Sequence, residues 1–229
     1  MKKVAILQSN YIPWKGYFDL IASVDEFIFY DDVQYTKNDW RNRNLIKTQN
    51  GLHWLSIPVG IRLNREIRDV EIPTSNWQIK HWKTLEGSYK RARYFDEIAD
   101  WLEPLYTKQV YGNLSQLNQY FISKISTYLD IKTKFSSSWD YPMVLGKTCR
   151  LVDLCLQVNA SEYISGPSAI NYIDKNLFSS SNIKLTWFSY NGYPEYDQLW
   201  GDFKHEVTIL DLLFNTGKHA VDYMKIKKK

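Results

Sequence analysis

The sequence predicts an α/β fold built on a mainly parallel sheet, with a helical subdomain in the middle of the chain. Val4-Ala5-Ile6-Leu7 is a short apolar run, Glu26-Phe27-Ile28-Phe29-Tyr30 is another, and Phe18, Ile21 and Ala22 between them keep helical spacing. Parallel neighbours need a crossover connection, so strand, helix and strand in this order read as a βαβ unit. Three helix-period stretches then occupy the middle of the chain. The strand pattern returns at Tyr163-Ile164 and Ile183-Leu185-Trp187. Alternation of this kind implies a layered α/β core.

The first strand runs into Gln8-Ser9-Asn10-Tyr11-Ile12-Pro13-Trp14-Lys15-Gly16, which breaks the apolar period. Pro13 fixes φ and lacks an amide hydrogen, while Gly16 allows close approach of a ligand or a neighbouring strand. The second strand ends on Asp31-Asp32. Ligands of parallel sheets sit beyond the carboxyl ends of the strands, so Gln8, Asn10, Asp31 and Asp32 are candidate site residues. The alternative is an ordinary sheet opening whose aspartates cap a turn.

Residues 33–50 have no clean period. Lys37, Arg41, Arg43 and Lys47 surround Trp40, with Gln34 preceding them. Cations interleaved with an aromatic suit a phosphate, a diphosphate or a stacked ring, and equally a solvated loop. Asn50-Gly51 signals a hairpin. Its partner strand, 53–57, closes at Pro58, and the hairpin is expected to lie over the first strand ends as a lid.

Asp69-Val70-Glu71-Ile72-Pro73 reads as a short strand. Ser75 or Asn76 then caps a helix carrying Trp77, His81, Trp82, Leu85 and Tyr89. Further helices are expected over 96–107 and 114–129, the last with the stripe Leu114, Leu117, Phe121, Ile125 and Leu129. Ser136-Ser137-Ser138 reads as a loop. The division that follows is a first half of the core over 1–75, the helical subdomain over 76–135, and a second half over 136–229.

Lys147, Thr148 and Arg150 open the next helix. Cations in a first turn oppose the helix dipole, which a bound anion or a solvated face explains. Tyr163-Ile164 enters Ser165-Gly166-Pro167-Ser168, with a helix expected from Ala169-Ile170. Hydroxyls, a glycine and a helix N-terminus make an anion site. Asn191-Gly192 marks a turn, Tyr196 and Gln198 follow in loop, and 208–215 is an amphipathic helix.

A chain of 229 residues with 44% hydrophobic content is long enough for a full core. The 17 Tyr and 9 Trp are abundant, and such amphipathic rings serve both sugar-binding surfaces and cores. The net charge of +4 is concentrated in a tail bearing Lys225, Lys227, Lys228 and Lys229, read as a solvated end rather than a nucleic-acid arm. No membrane span and no signal peptide are expected. Cys149 and Cys155 lack metal-ligand spacing and suit reduced, buried thiols of a cytoplasmic protein. No metal site is expected from the scattered histidines 53, 81, 205 and 219.

Several segments carry a family resemblance. LQSNYIPWKGYFDLI (7–21), FIFYDDVQYTKNDWRNRN (27–44), GLHWLSIPV (51–59), TCRLVDLC (148–155), EYISGPSAINYI (162–173), YDQLWGDF (196–203) and TILDLLFNTGK (208–218) resemble, in order, the WbqC-like family of bacterial surface-polysaccharide gene clusters. The association of that family with O-antigen clusters making acylated amino sugars implies acyl or aminoacyl (glycyl) transfer to a sugar amine. On fold, the opening is similar to the nucleotide-binding start of HIGH-type nucleotidyltransferases and pantothenate synthetases, a HUP or Rossmann-like arrangement. ISGPSAI is similar to their later phosphate loop. Trp14-Lys15-Gly16-Tyr17 stands where that superfamily carries paired histidines, leaving Lys15 as the charge in that segment.

Amine acylation needs a proton acceptor, for which Asp32, Asp31 and His81 are the candidates, Asp32 foremost. Substrate-binding candidates are Gln8, Asn10, Tyr11, Trp14, Lys15, Gly16, Gln34, Trp40, Arg41, Arg43, Lys147, Arg150, Ser165, Gly166, Ser168, Tyr196 and Gln198. The expected partner is a small phosphate-bearing sugar, and no nucleic acid. No cofactor is required by the sequence, ATP or another acyl donor being compatible with it. Three readings follow: a cytoplasmic sugar N-acyl or aminoacyl transferase, an ATP-dependent amide ligase acting through an acyl-adenylate, and a non-catalytic nucleotide-sugar or carbohydrate binder.

Overall fold

The computed structural model describes residues 1–62, 64–142 and 144–225. In chain order the elements are β1 (Lys3–Leu7), α1 (Lys15–Ala22), β2 (Glu26–Phe29), β3 (Arg43–Thr48), β4 (Gly51–Ser56), α2 (Trp77–Tyr89), α3 (Phe95–Thr107), α4 (Leu114–Tyr128), β5 (Lys134–Ser137), α5 (Lys147–Gln157), β6 (Glu162–Ser165), α6 (Lys175–Ser180), β7 (Lys184–Trp187) and α7 (Ile209–Thr216). The Lys227–Lys229 part of the basic tail lies outside the described residues.

β5, β2, β1, β6 and β7 form one sheet in that spatial order, all parallel. Ala5 pairs with Phe27 and Leu7 with Phe29, as expected for neighbours joined by a crossover helix. Because successive strand residues point to opposite faces, Ala5, Phe27 and Phe29 pack under α1. Val4, Ile6 and Ile28 pack against Leu151 and Cys155 of α5 and Phe178 of α6. Both faces are covered, which is why the central strands are apolar throughout rather than alternating. The chain moves from β1 to β2 and β5 on one side, then resumes at β6 and β7 on the other. The order is therefore that of a doubly wound, Rossmann-like sheet, and its direction reverses between β1 and β6.

α2, α3 and α4 join the α1 side of the sheet: Leu85, Leu102 and Phe121 are fully buried in one hydrophobic cluster with Phe18, Phe27 and Leu213. At the opposite end of the strands from their carboxyl termini, buried Glu26 ties neighbouring elements together. It accepts from Lys2 at 2.7 Å, Lys134 at 3.0 Å, Ser136 at 2.7 Å and Tyr141 at 3.1 Å. Burial raises its pKa, but those four donors outweigh it and hold the carboxyl at about 2.

Five local expectations are corrected. Of the two cysteines expected to be buried on α5, Cys155 is buried but Cys149 is exposed. Ser136-Ser137 is not loop but the end of β5, an edge strand in register with β2 from Glu26↔Lys134 to Phe29↔Ser137. One ring, Phe135 stacked 5.3 Å from Phe29, suffices to seat it; an edge strand needs no long apolar run. The expected strand at 69–73 is instead a 3-10 turn over Ile67–Asp69 followed by a single bridge, Glu71↔Asn113. After Ser165 only a 3-10 turn, Pro167–Ala169, forms, and α6 starts later, where the Asp174 carboxylate accepts from the Asn176 amide. The hairpin β3–β4 exists, but its turn is Gln49-Asn50, with Gly51 already paired to Thr48 as the first residue of β4, and it is not a lid over the strand ends. Asn44 donates to the carbonyls of Tyr11 and Ile12, and the Lys47 amide donates to Tyr89. The hairpin is thus fixed into the core beside α2 and α7.

Candidate functional site

A crevice of about 620 Å³ opens where β1 and β6 part at their carboxyl ends. β1 brings Leu7, Gln8 and Asn10; β2 brings Tyr30; β6 brings Tyr163, Ser165 and the following Gly166 and Ser168. The far wall is the start of α5, with Gly146, Lys147 and Arg150. Gly146 has φ +101°, a left-handed conformation that side chains disfavour, so a glycine there lets the chain turn directly into the helix. The N-terminal dipole of α5 consequently faces the crevice. Tyr172, Val144 and Leu145 form an exposed apolar rim.

The charged side chains of the lining are cations, two of them paired with carboxylates outside it, Arg41 with Asp39 at 3.2 Å and Arg150 with Asp32 at 2.6 Å. Arg41, Lys147 and Arg150 reach the crevice from separate segments, and no carboxylate lines it among the described residues. Arg41 is placed by its backbone: the Tyr11 amide donates to the Trp40 carbonyl at 2.9 Å, and Asn118 Nδ2 donates to the Arg41 carbonyl at 2.8 Å. Arg150 is placed by Asp32, whose Oδ2 accepts from Nη2 at 2.6 Å while its Oδ1 accepts from Ser138 at 2.5 Å. Burial raises the pKa of the Tyr30 phenol, against the Arg150 guanidinium 4.9 Å from its ring centre.

Of the candidates for proton acceptor, neither aspartate is open. Asp31 is fully buried and accepts from the Ser9 amide at 2.7 Å and from the Ser115 hydroxyl. Burial raises its pKa against those hydrogen bonds. Asp32 sits behind Arg150 rather than in the crevice. His81 is in the α2–α4 core: its Nδ1 is 2.9 Å from the Tyr11 hydroxyl and its Nε2 is 3.2 Å from the Ser56 carbonyl. A carbonyl only accepts, so Nε2 carries the proton and Tyr11 donates to Nδ1. Burial lowers the His81 pKa to about 4.

The remaining candidates divide among other environments. Tyr11 is a core residue, also bonded to the Tyr106 hydroxyl at 2.7 Å. Lys15 turns away from the crevice into a cage of Tyr193, Tyr196 and Phe203, 5.0 to 5.9 Å from their ring centres, and donates to the Pro194 carbonyl. Desolvation there lowers its pKa to about 8. Arg43 lies 4.1 Å over the Trp54 ring, and exposed Gln34 takes part in a bridge to Glu66. The Tyr196 hydroxyl donates to buried Asp211 at 2.8 Å, and Gln198 accepts from Lys47 at 3.0 Å. Trp14 caps α1 and lies across Gly16, where an added Cβ would meet its indole at 2.4 Å. Trp14 and Trp40 wall a second, smaller cavity that shares Asn10 with the crevice.

Lys15 bears on the nucleotidyltransferase resemblance. It is the charge in the segment standing where paired histidines stabilise phosphate, and it does not line the crevice. Lys15 is therefore not among the cations of the crevice. Among the described residues, no group of three or more His, Cys, Asp or Glu is arranged to hold a metal ion, and no helix is long and apolar enough to cross a membrane.

Residues 8–223 match the profile of the WbqC-like protein family. The chain belongs to the WbqC-like family. Among curated proteins it is 55% identical over 227 residues to the uncharacterized protein Rv1507c of Mycobacterium tuberculosis, covering 98% of each chain. No solved structure matches it. The family match spans both walls of the crevice, from Gln8 to Tyr172. The cations and hydroxyls that line this crevice were candidates from the sequence, but its rings Tyr30, Tyr163 and Tyr172 and the apolar Val144 and Leu145 were not.

Proposed function

We propose that this WbqC-like protein is a cytoplasmic transferase that acylates or aminoacylates an amino sugar carrying a phosphate, in the making of a bacterial surface polysaccharide. The observation that supports it most is the convergence of Arg41, Lys147 and Arg150 with the α5 N-terminus on a crevice that no carboxylate lines among the described residues. A diphosphate answers that chemistry: helix amides and the dipole take one charge, and the guanidinium groups bind oxygens in pairs. The apolar rim of Tyr172, Val144 and Leu145 suits a base or other flat group next to the phosphates. Amino-sugar acylation comes from the family's association with O-antigen clusters.

In this reading Asp32 is a positioning residue. Its carboxylate is spent on Arg150 and Ser138, so its effect on a substrate passes through the guanidinium. A second reading, binding of a nucleotide sugar without turnover, is favoured by the same fact, since among the described residues no carboxylate or imidazole lines the crevice. The test is a mass-spectrometric screen of nucleotide-linked amino sugars with acyl and aminoacyl donors, with and without ATP. A mass gain of one acyl group, with no pyrophosphate released, supports transfer. Tight ligand binding with no product from any donor supports the binding reading.

A further inference from the structure

Next to the crevice is a cavity of about 290 Å³ with the opposite chemistry. It is walled by Trp14, Trp40 and Pro13 and lined by Asn44, His205 and Glu206, and Asn10 lines both it and the crevice. Among the described residues, the crevice holds cations and no carboxylate, whereas this cavity holds a carboxylate and neither lysine nor arginine.

Its walls are held in place. Trp40 packs 5.4 Å from Trp54, and Trp14 packs 5.2 Å from Tyr190 and 5.6 Å from Tyr193. Asn44 is committed beneath the floor through its bonds to the Tyr11 and Ile12 carbonyls. Asn10 is different. Its Oδ1 is buried and has no hydrogen-bond partner among the described residues, although burying an unmet acceptor is costly. The unmet acceptor therefore stands on a residue common to both cavities.

Resting on the crevice as a phosphate site, we infer that the Trp14–Trp40 cavity is the subsite for an amine-bearing ring attached to that phosphate. Indole faces accept the C–H face of a saturated ring and attract a cation. Glu206 supplies the opposite charge to an amine, and Asn10 Oδ1 accepts one of its N–H groups. One molecule bearing phosphate at one end and an amine at the other thus meets cations at one end and acceptors at the other. Asn10 marks the division between them. Gly16 is a positioning residue for this subsite, because a side chain there displaces the Trp14 indole.

The test is calorimetric titration of the full chain with uridine diphosphate, UDP-glucose and UDP-glucosamine. The wild type is expected to prefer UDP-glucosamine over UDP-glucose by about tenfold, the scale of one charge-assisted hydrogen bond. Glu206→Gln removes that preference, Trp40→Ala brings both sugar nucleotides to the affinity of uridine diphosphate, and neither variant changes uridine diphosphate binding. Uridine diphosphate binding with no preference for the amine overturns the subsite alone. Failure of uridine diphosphate to bind the wild type overturns the crevice reading, and this inference with it.

Discussion

Arg150 Nη2 lies 2.6 Å from Asp32 Oδ2, with the Asp32 side chain 1% exposed and that of Arg150 15% exposed. The pair joins the end of β2 to the first turn of α5 across the carboxyl edge of the sheet. An ion pair this buried is weak as a source of stability but strong as a constraint on geometry, since removing one partner leaves the other charged and unmet. Asp32→Asn is therefore expected to lower stability by roughly 3 kcal/mol and to weaken phosphate-ligand binding together with it. Urea unfolding and a binding titration on the same variant check this. Unchanged affinity with lost turnover would return Asp32 to the role of proton acceptor.

The two arginines of the basic-aromatic segment separate in function. Arg41 faces the crevice, whereas Arg43 stacks on Trp54. Arg41→Ala is expected to weaken uridine diphosphate binding by about tenfold, one charge-assisted contact. Arg43→Ala is expected to leave it unchanged and to cost about 1 kcal/mol of stability, the scale of an exposed cation–π contact. Equal losses of affinity would show that the two act together.

Glu26 gives the fold an acid-sensitive joint far from the site. Its folded pKa of about 2 lies below the ordinary 4.5, so its stabilisation is present above 4.5 and is lost as pH falls from 4.5 to 2. The total is at most roughly 3 kcal/mol. Buried Asp31 and Asp211, with raised pKa values, act in the opposite sense and favour the fold at low pH. In urea titrations at stepped pH, wild type and Glu26→Gln are expected to differ most near neutrality and to converge near pH 2. A gap that is constant with pH would remove Glu26 as the cause.

His81 is expected to stay neutral down to about pH 4, with its proton on Nε2. Its folded pKa lies below 6.5, so its share of stability is present above 6.5 and fades as pH falls toward 4. Nitrogen-detected NMR of the imidazole reads both tautomer and titration. A midpoint near 6.5 would mean that the ring is open to solvent and available for proton transfer.

The parallel core was legible because β1 and β2 are buried on both faces, so their apolar runs have no other use. Lys147 and Arg150 were legible as cations set against a helix dipole. What escaped depends on contacts distant in sequence. β5 carries a single large ring, and its strand character comes from pairing with β2. Lys15 looks like a site residue beside Trp14, yet the loop 193–203 closes over it. Asp32 has the position of a base, and only the fold reveals Arg150 and Ser138 on its oxygens. His205 and Glu206 have no local pattern at all; they reach Trp14 and Trp40 because Thr208 bonds to the Leu45 and Ile12 carbonyls.

The most direct test of the crevice as a phosphate site is calorimetric titration of uridine diphosphate into wild type, Lys147→Ala and Arg150→Ala at low and high salt. Saturable binding is expected, weakened about tenfold by each substitution, with wild-type affinity falling as salt rises. Binding that is indifferent to both substitutions and to salt would contradict the phosphate site.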